Sequence, residues 1–142
     1  MAVDIASWFL GPGEVVAREK FGNGQEEVYR SAGYRILERI PTVIIVNEGS
    51  ASASEILAGA LRDLKGIKLV GQKTFGKGSV QELVPITDTT SLKVTVARWL
   101  TPNGVSISDQ GIIPDHIVKM TPADRQAGLD PQIDKAVEIL TQ

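Results

Sequence analysis

Two kinds of residue in this chain could carry out hydrolysis without a histidine. Ser50, Ser52 and Ser54 stand in the run Val46-Asn-Glu-Gly-Ser-Ala-Ser-Ala-Ser-Glu55, and Lys77 lies in a glycine loop, Phe75-Gly-Lys-Gly-Ser-Val-Gln81. A serine hydroxyl becomes a nucleophile when a base takes its proton, and a lysine amine serves as that base if burial lowers its pKa from about 10.4 toward roughly 7–8. With one histidine, His116, and no cysteine, a Ser-His or Cys-His mechanism has little to draw on. Ser52-Ala-Ser-Glu55 also has the spacing of a capping box, in which Ser52 caps a helix and Glu55 reaches back to its backbone. The two roles share a geometry, because the N-terminus of a helix offers free N–H groups and the positive end of a dipole to an oxyanion. Taken locally, capping explains Ser52 and solvent exposure explains Lys77. Gly76 and Gly78 weigh against the second explanation, since they let the backbone on either side of Lys77 pass close to another group.

The elements around these residues read as α/β. Residues 42–47 form a continuous β-branched run between Pro41 and Gly49, the pattern of a buried central strand. Ala53, Ile56, Leu57, Ala60, Leu61 and Leu64 then fall at offsets 0, 3, 4, 7, 8 and 11, one apolar stripe of a helix. Ser54, Glu55, Arg62 and Asp63 lie on its other side. After Lys65-Gly66, residues 67–70 give a second apolar strand, so this β-α-β unit implies a parallel pair with a right-handed crossover. Upstream, residues 3–10 read as a short helix stopped by Gly11-Pro-Gly13. Residues 14–20 and 26–30 read as a hairpin around Gly22-Asn-Gly24, and 31–39 as loop. Downstream the period changes to two: residues 80–86 and the alternation Leu92, Val94, Val96 read as strands, and Asn103-Gly104 as a tight turn into a strand at 105–107. His116 sits where a loop enters a last short strand, in a structural role. Asp130 caps a final helix with Pro131 at its first position and Ile133, Ala136, Val137 and Leu140 as its stripe.

Composition removes several function classes. The chain has 142 residues, 42% of them hydrophobic, and a net charge of −2, which suits one domain with a real core and excludes a disordered or collagen-like chain. Without a basic block, nucleic acid is not an expected partner. No apolar run is long enough to span a bilayer, and residues 1–10 lack the basic start of a secretory signal. The absence of cysteine fits a reducing cytosol or a disulfide-free extracytoplasmic protein equally. No spacing of acidic residues suggests a metal site, and no cofactor is expected. One near-match misleads: Gly71-Gln-Lys-Thr-Phe-Gly-Lys77 fits the phosphate-binding pattern G-x-x-x-x-G-K, but Gly78 stands where Ser or Thr is required and a strand, not a helix, follows.

Three motifs in order, residues 47–56, residues 74–81 and Gly111-Ile-Ile-Pro-Asp-His-Ile-Val118, give the sequence a resemblance to the carboxyl-terminal processing (tail-specific) peptidases. It extends from about Val3 to Leu140. In that family the nucleophile is the middle serine of the run and the base follows 25 residues later, which selects Ser52 and Lys77. The resemblance also implies that Gln81 completes a triad by orienting the lysine amine, and that the Ala53 N–H is one oxyanion donor. It implies the layered β-α-β arrangement of the Clp-protease/crotonase type, with an added β-hairpin region and a C-terminal helix. The family's PDZ-like peptide-binding module and its Gly-Gly segment, source of a second oxyanion N–H, fall before the region matched by residues 3–10. On this basis residues 1–142 are expected to be a single, partial catalytic domain of a serine endopeptidase cleaving proteins near their C-termini. The expected partners are peptides or unfolded protein C-termini and further copies of the chain, in an extracytoplasmic compartment. Two other readings are kept: an inactive fragment acting as a binding or self-assembly module, and a crotonase-like acyl-thioester enzyme, which shares only the fold.

Overall fold

A computed structural model describes residues 1–108 and 110–142. The order of elements is α1 (Ala2–Ser7), β1 (Val15–Phe21), β2 (Glu26–Arg30), β3 (Val43–Val46), α2 (Ala53–Lys65), β4 (Lys68–Gly71), β5 (Ser79–Thr87), β6 (Thr90–Leu100), β7 (His116–Ile117), α3 (Pro122–Ala127) and α4 (Pro131–Leu140). The strands form two sheets. β2-β1-β6-β5 is antiparallel, and β3-β4-β7 is parallel with Val43 opposite Lys68 and Val46 opposite Gly71. The β3-α2-β4 crossover is therefore the parallel unit that the apolar runs predict.

Helix α2 lies between two apolar clusters. Its residues Ile56, Ala60 and Leu61 join Ala6, Leu10, Val16, Ala17 and Ile107, while Ala58 joins Val46, Leu69 and Ile112. This two-sided coverage explains why Ala58 and Gly59, outside the predicted stripe, are buried as well. Gly66 ends the helix in the left-handed conformation, its N–H bonding the Arg62 carbonyl. Helix α4 has the predicted start: Asp130 accepts from the Gln132 and Ile133 N–H groups at 3.0 Å, with Pro131 in the first turn.

Several expectations need correction. β3 is an edge strand of its sheet, with Ile45 40% exposed; a β-branched run marks a parallel strand but not its place in the order. In α4 only Gln132 and Ala136 are buried, and Ile133, Val137 and Leu140 are half exposed, because the helix rests on β3 and β4 along a narrow strip. Residues 105–107 form no strand beyond a single bridge between Leu100 and Ser106. α3 goes unpredicted, although its start is written in the sequence: Thr121 and Asp124 cap each other's backbone N–H groups around Pro122.

Candidate active site

The turn carrying the serines is built from its own side chains. The Asn47 side chain accepts from the Gly49 N–H at 2.8 Å, and the Ser50 hydroxyl accepts from the Asn47 N–H at 3.2 Å. Ser50 is thus committed to the loop, and Ser54 is exposed one residue inside the helix. Ser52 stands at the N-cap with φ 54° and ψ −113°. Those angles, with the Ser54 N–H bonded to the Ala51 carbonyl at 3.1 Å, are those of the first central residue of a type II′ turn, a position that suits glycine. A serine held there costs on the order of 1–3 kcal/mol. Strand β3, this tight turn and α2 together form a strand-turn-helix with Ser52 at its sharp turn, a geometry able to present a nucleophile at the start of a helix. The Ser52 hydroxyl makes no regular capping hydrogen bond and only approaches the Glu55 N–H, which bonds the Ser52 carbonyl at 2.9 Å. Next to it, the Ala53 N–H belongs to the first turn, which no carbonyl of its own helix can satisfy.

Glu55 is the residue whose part the amphipathic pattern conceals. Placed on the polar side of the helix by periodicity, it is fully buried. One carboxylate oxygen accepts from the Ser52 N–H and the Lys77 N–H, each at 2.9 Å; the other accepts from the Gly76 N–H at 2.7 Å and the Thr74 hydroxyl at 2.5 Å. The Ser52 and Lys77 nitrogens therefore lie within twice 2.9 Å of each other. Thr74, 3% exposed, extends the connection by accepting from the Ile112 N–H at 2.7 Å. The capping-box spacing is the sequence signal for the Glu55–Ser52 half; nothing in it signals the Lys77 half. Two glycines allow the close packing. A Cβ on Gly71, at φ 125°, would meet the Val46 carbonyl oxygen at 2.0 Å, and one on Gly78 would meet the Ser108 nitrogen at 2.4 Å.

The backbones of Ser52 and Lys77 are brought together, but the predicted side chains are not joined to each other. Lys77 is exposed, and among the described residues its ammonium makes no hydrogen bond to Ser52 or Gln81. Gln81 lies on β5, exposed, where its amide donates to the Thr95 hydroxyl at 3.5 Å. It sits at a bulge, because the register passes from Val80–Ala97 to Gln81–Thr95 and leaves Val96 unpaired. The glycine loop enters β5 and not a helix, so the phosphate-loop near-match fails on structure too. His116 lies in β7 against Val70. Among the described residues no group of three His, Cys, Asp or Glu could hold a metal ion, and no helix is long and apolar enough to cross a membrane.

A parallel β-α-β layer with a strained serine at the mouth of its helix is the α/β architecture of the Clp-protease/crotonase type. Within that class the chain belongs to peptidase family S41, whose model matches residues 1–118. It is 39% identical over 142 residues to a carboxyl-terminal-processing protease of Synechocystis, covering 98% of this chain and 33% of that protein. It is 37% identical over 131 residues to a carboxy-terminal-processing protease of Bartonella bacilliformis, covering 91% and 30%. Among solved structures, a photosystem II D1 C-terminal processing protease matches with a TM-score of 0.76 at 39% identity, over 83% of this chain and 30% of that one. A lipoprotein from Streptococcus agalactiae shares the fold, with a TM-score of 0.65 at 21% identity over 88% and 47%. The chain spans about a third of the length of these two curated relatives.

Proposed function

We propose that this chain carries the catalytic side chains of a serine endopeptidase that cuts proteins near their C-termini, with Ser52 as nucleophile, Lys77 as general base and Gln81 as the group that orients the lysine. The observation that carries the proposal is the strained turn at Ser52, held on the same carboxylate as the backbone of Lys77. Backbone strain of this kind persists where a site over-determines it. In the reaction, the neutral Lys77 amine takes the Ser52 proton as the serine oxygen bonds to a peptide carbonyl carbon. The Ala53 N–H stabilises the oxyanion, and the Lys77 ammonium returns its proton to the departing amine. Water, deprotonated by the same amine, then cleaves the acyl-serine ester. A peptide lying over the exposed Lys77 would exclude solvent and bring Gln81 and Ser52 into use. The relatives named above as carboxyl-terminal processing proteases support the substrate class; the extracytoplasmic location expected from the sequence resemblance is part of the proposal, and cell fractionation tests it.

A second reading, a folded but non-catalytic binding or self-assembly module, is favoured by the exposure of Lys77 and its lack of a bond to Ser52. A fluorophosphonate probe separates the two. Labelling at Ser52 that disappears in both Ser52→Ala and Lys77→Ala supports the peptidase. A protein that resists the probe while still binding peptide supports the module.

A further inference from the structure

We propose that the outer face of the four-stranded sheet is a subsite that selects an acidic side chain in the bound peptide, a proposal that rests on the peptidase reading above. Side chains alternate between the faces of a strand. On this sheet Ala17, Glu19 and Ala97 are buried toward the core, so Arg18, Lys20 and Arg98 point the other way. The register puts Lys20 directly opposite Arg98. Like charges in that relation destabilise a sheet, and among the described residues neither cation has an ion-pair partner. The acidic neighbour of Lys20 is already engaged: Glu26 pairs with Arg18 at 3.5 Å, and Arg18 also donates to the Pro102 carbonyl at 3.3 Å. Two unmatched cations therefore share one face, in an arrangement that folding alone does not favour.

They also share a cleft. A partly open space of about 440 Å³ is lined by Lys20, Arg98 and Leu100 from this face, by Thr95 and Val96 at the β6 bulge, and by Phe21 and Ala97 at the next positions along the two strands. The cleft borders the strand that carries Gln81. Thr95 is the cross-strand partner of Gln81 and accepts its hydrogen bond, and Ser79, two residues beyond Lys77, is the partner of Arg98. The chemistry of the lining selects the ligand. Two cations over an apolar floor suit a carboxylate carried on a peptide with hydrocarbon beside it. A nucleic acid would need a broad basic field, and this chain has a net charge of −2. Because the cleft is open, a chain can pass through it, so we assign it to a side-chain carboxylate and not to the terminal one.

The test is peptide binding by the intact protein carrying Ser52→Ala, which removes turnover but no part of the cleft. The probes are an unstructured peptide with one Glu, its Gln counterpart, and the Glu peptide with an amidated C-terminus. The Glu peptide should bind about five- to tenfold more tightly than the Gln peptide at low salt, and the preference should shrink as salt rises. It should vanish in Lys20→Gln/Arg98→Gln, persist in Arg98→Lys, and survive amidation. The double variant should melt no lower than its parent, since it relieves the like-charge opposition. Equal binding of the Glu and Gln peptides, a preference that survives the double substitution, or one lost on amidation would each overturn the assignment. Probe labelling of Ser52 reports on the peptidase reading separately, so either idea can fail alone.

Discussion

Replacing Glu55 with Gln tests whether one buried carboxylate holds the two halves of the site together. The substitution keeps the size and exchanges one acceptor oxygen for an NH₂ donor. Whichever way the amide turns, that NH₂ faces two donors that now bond an oxygen: either the Ser52 and Lys77 N–H groups, or the Gly76 N–H and the Thr74 hydroxyl. Thr74 can rotate its proton away, but backbone N–H groups cannot. Hydrogen bonds to a charged acceptor are worth roughly 1.5–3 kcal/mol each, and a buried donor left alone costs about 1–3 kcal/mol. Losing one or two of them should lower stability by about 2–5 kcal/mol, a large part of the roughly 5–15 kcal/mol of an ordinary domain. Urea denaturation measures the loss. Amide hydrogen exchange locates it, with Gly76 and Lys77 losing protection ahead of the α2 interior. Activity should fall with it, because both the turn at Ser52 and the loop of Lys77 are released. A variant within about 0.5 kcal/mol of the parent, with unchanged exchange at Gly76 and Lys77, would show that the carboxylate does not couple the two segments.

Ser52→Gly should be about 1 kcal/mol more stable than Ser52→Ala, because glycine accepts the positive φ that alanine must still strain to hold; equal denaturation midpoints would remove the claim of strain. The Tyr29 hydroxyl donates to Glu19 at 2.8 Å, and that bond, followed by burial, pushes its pKa up to about 12. Because the folded value exceeds the unfolded one of about 10, the associated stability is intact below pH ~10 and is lost as pH rises through the folded value. Tyrosinate absorbance in a Tyr34→Phe background should show a midpoint that moves down in Glu19→Gln; an unmoved midpoint would mean that Glu19 is not the cause.

The parts legible in the sequence are those set by local rules. The β2 bounds, the α2 stripe with Gly66 after it, and the Asp130-Pro131 start of α4 each depend on residues a few positions apart. The order of the three motifs also carries the family, which the match over residues 1–118 shows. Properties set by long-range packing were not legible. Glu55 reads as a polar-face residue because its burial comes from a loop about twenty residues away. β3 reads as central because composition reports parallel pairing and not the number of neighbours. The shared face of Lys20 and Arg98 appears only once β1 and β6 are paired across some eighty residues of chain. Thr121-Pro-Ala-Asp124 is the opposite case: its capping signal was there to be read, in a short segment with no apolar stripe to draw attention to it.

The position of the strain argues about design. Ser52 cannot keep a positive φ by itself; the α2 N-terminus and Glu55 must hold it there. Had a separate group anchored Lys77, the serine turn and the lysine loop could open independently. Because one carboxylate oxygen accepts from both backbones, opening the loop also loosens the turn, and the two segments should order as one unit. The Lys77 side chain is excluded from that unit and left toward solvent. If Lys77 is the base of the proposed reaction, a rigid backbone with a movable amine is the combination expected when the bound peptide supplies the last desolvation step.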